Sequence, residues 1–337
     1  MVVIFRAGVT NMARYGIPYK GNKSKIAEEL LAQLPSGKRL VDLFGGGFAI
    51  TDCALRKYPY KWEKFYYNDF NPLLQPLIMD AIQGKYNPDK YKPKWISREE
   101  FHERKNTDGY IAFVWSFGNN GRDYLYGEDV EETRRKAWEF VVDGIPSDIT
   151  EGIELKTASI HDRRIEWQAK TKGRLQDLER MQSLVQLESL SRLESLSRLE
   201  SLSRLDYRDY KYQDGDVIYC DIPYDENGKY TYYGGGFDHK AFYEWANTLP
   251  VPVYYSNYTK GSVVWQKEVR SVYNSSDGAV YRNETLFAIG GKHKQEMITK
   301  DYESNQIDIF EILSEKEIDT SKWSNARKKR GLRNGLE

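Results

Sequence analysis

Residues 39–50, RLVDLFGGGFAI, run from a short apolar stretch into an aspartate and three consecutive glycines, then resume with the apolar spacing of a helix. A strand that ends in clustered glycine turns its backbone sharply and lets a ligand approach closely, although the same glycines also serve tight packing of a helix on a sheet. The plan repeats in residues 64–74, KFYYNDFNPLL: an aromatic strand, an Asn-Asp end, then a helix through Leu77 and Met79. Upstream, YKGNKSK leads into the helical pattern IAEELLAQL. Far downstream the rhythm returns, with VIYCDIPY, VPVYYSNY and NETLFAIG as strands and KAFYEWANTL as a helix between the first two. Successive strand–turn–helix units predict a doubly wound α/β sheet.

Two segments interrupt that rhythm. Residues 86–172 are charged, aromatic and loop-rich with weak helical patterns, and read as an inserted, mostly surface-facing region. From Leu175 to Leu205 an apolar residue falls at every third position, with SLSRLE repeated almost verbatim. Such a stripe slips backwards by about 60° per step on a 3.6-residue helix, so one helix face cannot hold it. The expectations for 173–205 are a repeat-expanded spacer, a helix, or a small solenoid coil. The main α/β domain is thus expected from 1–85 and 206–315, with a basic tail, NARKKRGLRNG, inside 316–337.

The 337 residues contain 50 Lys+Arg and 50 Asp+Glu, so no global field steers the chain to nucleic acid, and only local patches remain to do so. Two cysteines, Cys53 and Cys220, and four histidines offer neither zinc spacing nor a disulfide framework. No metal is expected, and a reducing cytoplasm is the expected setting. No apolar run is long enough to span a bilayer, and no signal-peptide pattern opens the chain.

The most informative stretch is VIYCDIPY, where a buried strand stops at a carboxylate beside a rigid Pro-Tyr corner. At the carboxyl edge of such a sheet this corner suits a planar base with an exocyclic amino group. Asp221 accepts one N–H, the Ile222 carbonyl accepts the other, Pro223 fixes the turn and Tyr224 offers a ring face. A strand-end aspartate capping a turn beside a buried tyrosine is the equally weighted alternative. Asp69, ending the second strand, is placed to accept hydrogen bonds from ribose hydroxyls.

These blocks, YKGNK, DLFGGG, NDFN and DIPY in that order, resemble the Dam-like N(6)-adenine DNA methyltransferases of bacteria and phages. SFGNNGRDYLYG resembles the start of that family's target-recognition region, and YYSNY a late strand of its catalytic domain. The resemblance covers roughly Tyr15–Gly84 and Tyr207–Gly291. It implies a Rossmann-like methyltransferase sheet with an inserted, mostly helical target-recognition region, S-adenosylmethionine as cofactor, double-stranded DNA as partner, and base flipping. Some such enzymes belong to restriction-modification systems. By position, Tyr19, Lys23, Asp42, Gly45, Gly47, Asp69 and Asp221 would line the cofactor pocket, with Lys23 also near DNA. Asp221, Pro223 and Tyr224 would form the catalytic corner. Asn120, Arg122 and Tyr124 would contact DNA, amides and Arg being residue types that read base edges and phosphates. The family usually has proline where this chain has Ile222; a backbone carbonyl survives that exchange, while the turn loosens.

Methylation at cytosine C5 needs a cysteine nucleophile, normally after proline, and neither cysteine follows one. Methylation of the cytosine amino group, usually with serine in place of Asp221, is the nearest enzymatic alternative; an RNA substrate is a weaker one. A catalytically silent DNA-binding protein of the same fold is the alternative outside enzymes.

Overall fold

The computed structural model describes residues 15–172, 181–194, 199–224, 231–232, 235–257, 262–271 and 280–290. The basic tail lies outside them, as does part of the leucine repeat.

The described residues hold nine strands and nine α-helices. The strands are β1 (Gly37–Asp42), β2 (Trp62–Asn68), β3 (Leu199–Ser203), β4 (Asp216–Cys220), β5 (Thr231–Tyr232), β6 (Gly235–Gly236), β7 (Val253–Asn257), β8 (Ser262–Ser271) and β9 (Val280–Ile289). Seven of them form one sheet in the order β3-β2-β1-β4-β7-β9-β8; β5 and β6 pair separately. Strands β3, β2, β1, β4 and β7 run parallel, and β9 and β8 close the edge antiparallel. Helices α1 (Ala27–Gln33), α2 (Ala49–Lys57) and α3 (Leu74–Ile82) belong to the first half, and α9 (His239–Thr248) joins β4 to β7.

Period-2 alternation decides which side of the sheet each strand residue feeds. Leu40, Val217 and Tyr219 enter one apolar cluster, shared with α1, α2 and α3. Val41, Ile218, Cys220 and Tyr255 enter the other, shared with Phe242 and Ala246 of α9. Both faces are covered, so the doubly wound expectation holds. At the amino end of the sheet, buried Arg39 on β1 meets Asp216 on β4 (Nε–Oδ1 2.9 Å), and this pair fixes their register.

The insertion departs from expectation. Helices α4 (Arg98–Arg104), α5 (Gly109–Val114), α6 (Glu128–Asp143) and α7 (Ile160–Thr171) are its main regular elements, joined by turns and loops. Besides its exposed residues it has a buried side. Phe101, Trp115 and Trp167 are fully buried, and its apolar residues continue the cluster that packs on the first half of the sheet. Large aromatic side chains bury too much apolar area to remain at a surface. The basic side of α6 is internally compensated: Arg135 pairs with Glu132 and Glu139, and Lys136 with Asp148.

The leucine repeat is also corrected. Its helical reading holds for α8 (Gln182–Ser191), but Leu199–Ser203 become β3, the parallel edge strand on β2. The sheet therefore resumes at Leu199, ahead of the boundary expected at 206, and this part of the repeat is no spacer.

Candidate active site

Strand order reverses between β1, which leads on to β2 and β3, and β4, which leads on to β7. The crevice at the carboxyl ends of strands flanking such a reversal is where open α/β sheets bind ligands. Three carboxylates stand there on adjacent strands: Asp42 ends β1, Asp69 follows β2, and Asp221 follows β4.

The glycine turn after β1 is shaped by close approach. A Cβ on Gly45 would fall 2.1 Å from the Tyr67 ring, and one on Gly47 would fall 2.7 Å from Tyr19 Cβ. Tyr67 Oη donates to Gly46 O (2.7 Å), and Gly46 N donates to Asp69 Oδ2 (2.8 Å). The other oxygen of Asp69 accepts from Asn71 N (2.8 Å). The expected ribose ligand thus also holds the glycine turn. A carboxylate offers about four lone-pair directions, so two remain for a ligand.

Burial pushes Asp69 up to about 6, against the two backbone N–H bonds that favour its ionised form. Asp42 is fully buried and pushed up to about 8 by burial, with Asp221 and Asp69 adding repulsion. Thr51 Oγ1 donates to Asp42 Oδ2 (2.8 Å), while Asp42 Oδ1 has no hydrogen-bond partner among the described residues. Burial likewise raises Asp221 to about 6, opposed by Lys23.

Lys23 is the cation facing this group. Its Nζ lies 2.9 Å from Asp221 Oδ1 and 4.8 Å from the centroid of the Tyr224 ring. Burial alone would lower its pKa, but Asp221, Glu284 and Tyr219 raise it, so it stays charged. Every residue of the corner has its own anchor. Asp221 pairs with Lys23, and the Ile222 side chain is buried in the cluster beside α9. Pro223 O meets His239 Nε2 at 2.7 Å, and Tyr224 Oη donates to Glu284 Oε2 at 2.6 Å. Ile222 thus replaces a stiff backbone with a buried side chain.

The structure brings together Lys23, Asp42, Asp69, Asp221, Pro223 and Tyr224, with Gly45, Gly47 and Tyr19 forming the turn beside them. Tyr19 also packs edge-on against Phe113 of the insertion (5.2 Å). The three residues expected at DNA divide. Asn120 and Arg122 are at the surface, both bonded to Asp123. Tyr124 is buried, donates to Ile96 O (2.7 Å) and lies under Arg98, so it belongs to the packing of the insertion. The loop still reaches the site, because Lys20 N donates to Asn119 O (3.1 Å).

Sequence reasoning missed Glu284 and His239, which reach the corner from 60 and 16 residues downstream and carry no local motif. It also missed what Asn68 does. That side chain donates to Leu43 O and Leu205 O, and accepts from Ser203 Oγ and Leu205 N, tying the ends of β1, β2 and β3 together. Both cysteines are buried and outside any disulfide among the described residues, and burial pushes the Cys220 thiol far up, away from a nucleophile's requirement. No helix among the described residues is long and apolar enough to cross a membrane.

Comparison with known proteins agrees with the motifs. No curated protein sequence matches the chain. Among solved structures, the rRNA methyltransferase aviRa from Streptomyces viridochromogenes is similar over 84% of this chain and 90% of its own, at 12% identity and a TM-score of 0.33. So faint a likeness carries no argument about substrate. The family of D12 class N6 adenine-specific DNA methyltransferases matches at residues 19–139, a span that runs from Tyr19 of the YKGNK block through the glycine turn, Asp69 and the first part of the insertion. With the four blocks in the family's order and their residues gathered at one crevice, residues 19–139 carry the domain of the D12 class N6 adenine-specific DNA methyltransferases.

Proposed function

We propose that the protein transfers a methyl group from S-adenosylmethionine to the 6-amino group of an adenine extruded from double-stranded DNA. The observation that carries this reading is the pairing at the corner: Asp221 and Tyr224 together engage one buried amine, that of Lys23. An exocyclic amino group on a flat ring asks for the same two features, an acceptor and a π-face.

The residues also suit the cofactor. Three carboxylates made costly by burial and mutual repulsion, one with an unpartnered oxygen, favour a ligand carrying positive charge. The glycine turn would face its methionine portion, and Asp69 its ribose hydroxyls. When bound, S-adenosylmethionine supplies an electrophilic methyl on a sulfonium.

The chain's own task is orientation. Asp221 and the Ile222 carbonyl accept the two amino N–H groups, which turns the nitrogen lone pair towards the methyl without any covalent nucleophile. With the cofactor bound, the methyl–sulfur bond would break as the N–C bond forms, leaving its electron pair on sulfur, and Asp221 is placed to take the proton that the methylated nitrogen gives up. Lys23 leaves Asp221 as the base enters. Extruding a base costs a few kcal/mol, part of which stacking on Tyr224 recovers. Half-buried Asn120 and exposed Arg122, on the loop tied to Lys20, are suited to the DNA itself.

The test is incubation with unmethylated duplex DNA and methyl-labelled cofactor, followed by nucleoside analysis and sequencing of the modified positions. Label in N6-methyladenine at one recurring motif is the expected result. Label in N4-methylcytosine moves the substrate to the cytosine amino group, and absence of both cofactor binding and label supports the silent alternative.

A further inference from the structure

The corner's single proline leaves one torsion undetermined. Proline fixes its own φ near −65° but not its ψ. Rotation about ψ of residue 223 swings the Pro223 carbonyl and carries the Tyr224 side chain with it. That carbonyl is held by His239 Nε2 at 2.7 Å. A carbonyl oxygen only accepts, so Nε2 carries the proton.

His239 is itself held in place. It is the first residue of α9, whose N-cap Asp238 accepts from Ala241 N (3.0 Å). The Phe237 ring stands edge-on to the imidazole at 4.9 Å. Helix α9 is anchored by buried Phe242 and Ala246, in the same apolar cluster that takes Ile222. Two successive residues of the corner are therefore pinned: residue 222 by a buried side chain, and the carbonyl of residue 223 by His239.

We propose that His239 is a positioning residue for methyl transfer: by fixing ψ of residue 223 it aims the Tyr224 ring at the target base. This rests on the reading of residues 221–224 as the base-holding corner. His239 takes over, by a hydrogen bond from a neighbouring helix, part of the rigidity that a second proline would give the turn.

The full-length protein is compared with His239→Ala and His239→Gln, and with Asp221→Ala as a control. Steady-state kcat and KM are read on a duplex carrying the mapped site, beside the thermal midpoint and cofactor affinity. A duplex with 2-aminopurine at the target position reports stacking by its fluorescence. For His239→Ala, kcat is expected to fall between about tenfold and about a hundredfold, the range that misplacing a reacting group by about 1 Å produces. Cofactor affinity and thermal midpoint stay near wild type, and bound 2-aminopurine becomes brighter because it is less well stacked. His239→Gln, whose amide N–H can reach the same carbonyl, recovers most of kcat. An unchanged kcat in His239→Ala, or equal losses in the Ala and Gln variants, overturns the proposal. Full activity in Asp221→Ala would instead overturn the base-holding reading beneath it.

Discussion

The corner Asp221–Tyr224 and the edge strand Leu199–Ser203 both support the carboxyl edge of the sheet, yet they are specified in opposite ways. Each residue of the corner has a different partner: Lys23, the apolar cluster beside α9, His239 at the start of that helix, and Glu284. The edge strand is drawn from a repeat. Its pentapeptide, LESLS, occurs at 187–191, 193–197 and 199–203, and the first copy is helical, the end of α8. What the site takes from β3 is modest: Ser203 and Leu205 on Asn68, Ser203 O on the Asp69 amide, and Leu202 O on Gln75. A site can thus be unique where it meets substrate and redundant where it is merely buttressed.

The strongest way to break this contrast is Asp221→Ala. Methyl transfer should fall by orders of magnitude while the protein stays folded, since only one acceptor is lost and Glu284 remains near Lys23 as a counter-charge. Near-wild-type turnover would remove the corner from the centre of the site. The same group sets a pH dependence. With Asp221 raised to about 6, its ionised, accepting form is lost as pH falls through that value, so turnover at saturating substrates should fall there too. Stability should move the other way. For Asp42, Asp69 and Asp221, folded values lie above the 3.8 of a free aspartate. Their contribution to stability is therefore full below about 4 and lost as pH rises through about 6 to about 8. Thermal midpoints of the ligand-free protein across pH 4 to 9 would check that sign.

Redundancy makes its own prediction. Deleting Glu194–Leu199 or Glu200–Leu205 yields one and the same polypeptide, because the two segments are identical. The shortened chain still offers LESLS followed by Arg and Leu. A six-residue shift is even, so every side chain keeps its face of the sheet. Stability should drop, because α8 must give up packing to supply the connection; loss of one buried leucine costs about 2–5 kcal/mol. Activity per folded molecule should remain within about tenfold of wild type. A three-residue deletion, Ser203–Leu205, keeps the period-3 leucine pattern but reverses the faces and removes the partners of Asn68. It should abolish activity. Equal damage from both deletions would mean that the copies are not interchangeable.

This contrast also explains what could be read from the sequence. The parallel strands β1, β2 and β4 announce themselves as apolar runs ending in aspartate or glycine, and the carboxylates at their ends mark the crevice. The edge strand does not: leucine, serine and glutamate favour a helix or neither state, and only pairing with β2 selects the strand. Local pattern cannot distinguish two copies of one pentapeptide with different fates. Glu284 and His239 were hidden because their roles depend on where β9 and α9 come to rest. Tyr124 was misassigned for the converse reason, since a polar loop motif says nothing of which ring turns inwards.

Asp69 lies between the two extremes. It is unique, but it both holds the turn and is the proposed ligand of the ribose. Asp69→Ala removes the acceptor of the Gly46 and Asn71 amides as well as any ribose contact. Hydrogen bonds to a charged acceptor are worth about 1.5–3 kcal/mol each, so cofactor affinity should fall at least about tenfold, more than turnover at saturating cofactor. Calorimetry showing unchanged affinity would place the ribose elsewhere.

The smallest expected effect sharpens the comparison most, because it separates a side chain's contact with substrate from its anchor. Tyr224→Phe keeps the ring face and loses the hydrogen bond to Glu284. A typical net hydrogen bond is worth about 1 kcal/mol, so a loss of about fivefold in kcat/KM is expected. Tyr224→Ala loses the face as well, and base–aromatic stacking contributes about 1–3 kcal/mol. The two variants should also differ by substrate. On a duplex whose target adenine is mispaired, less energy is needed to extract the base, so the Ala variant should recover part of its loss. The Phe variant should not, because its defect lies in how the ring is held and not in what extraction costs. If both variants are equally impaired on both duplexes, Tyr224 acts through its tie to Glu284 alone, and the corner is then as much a buttress as the edge strand.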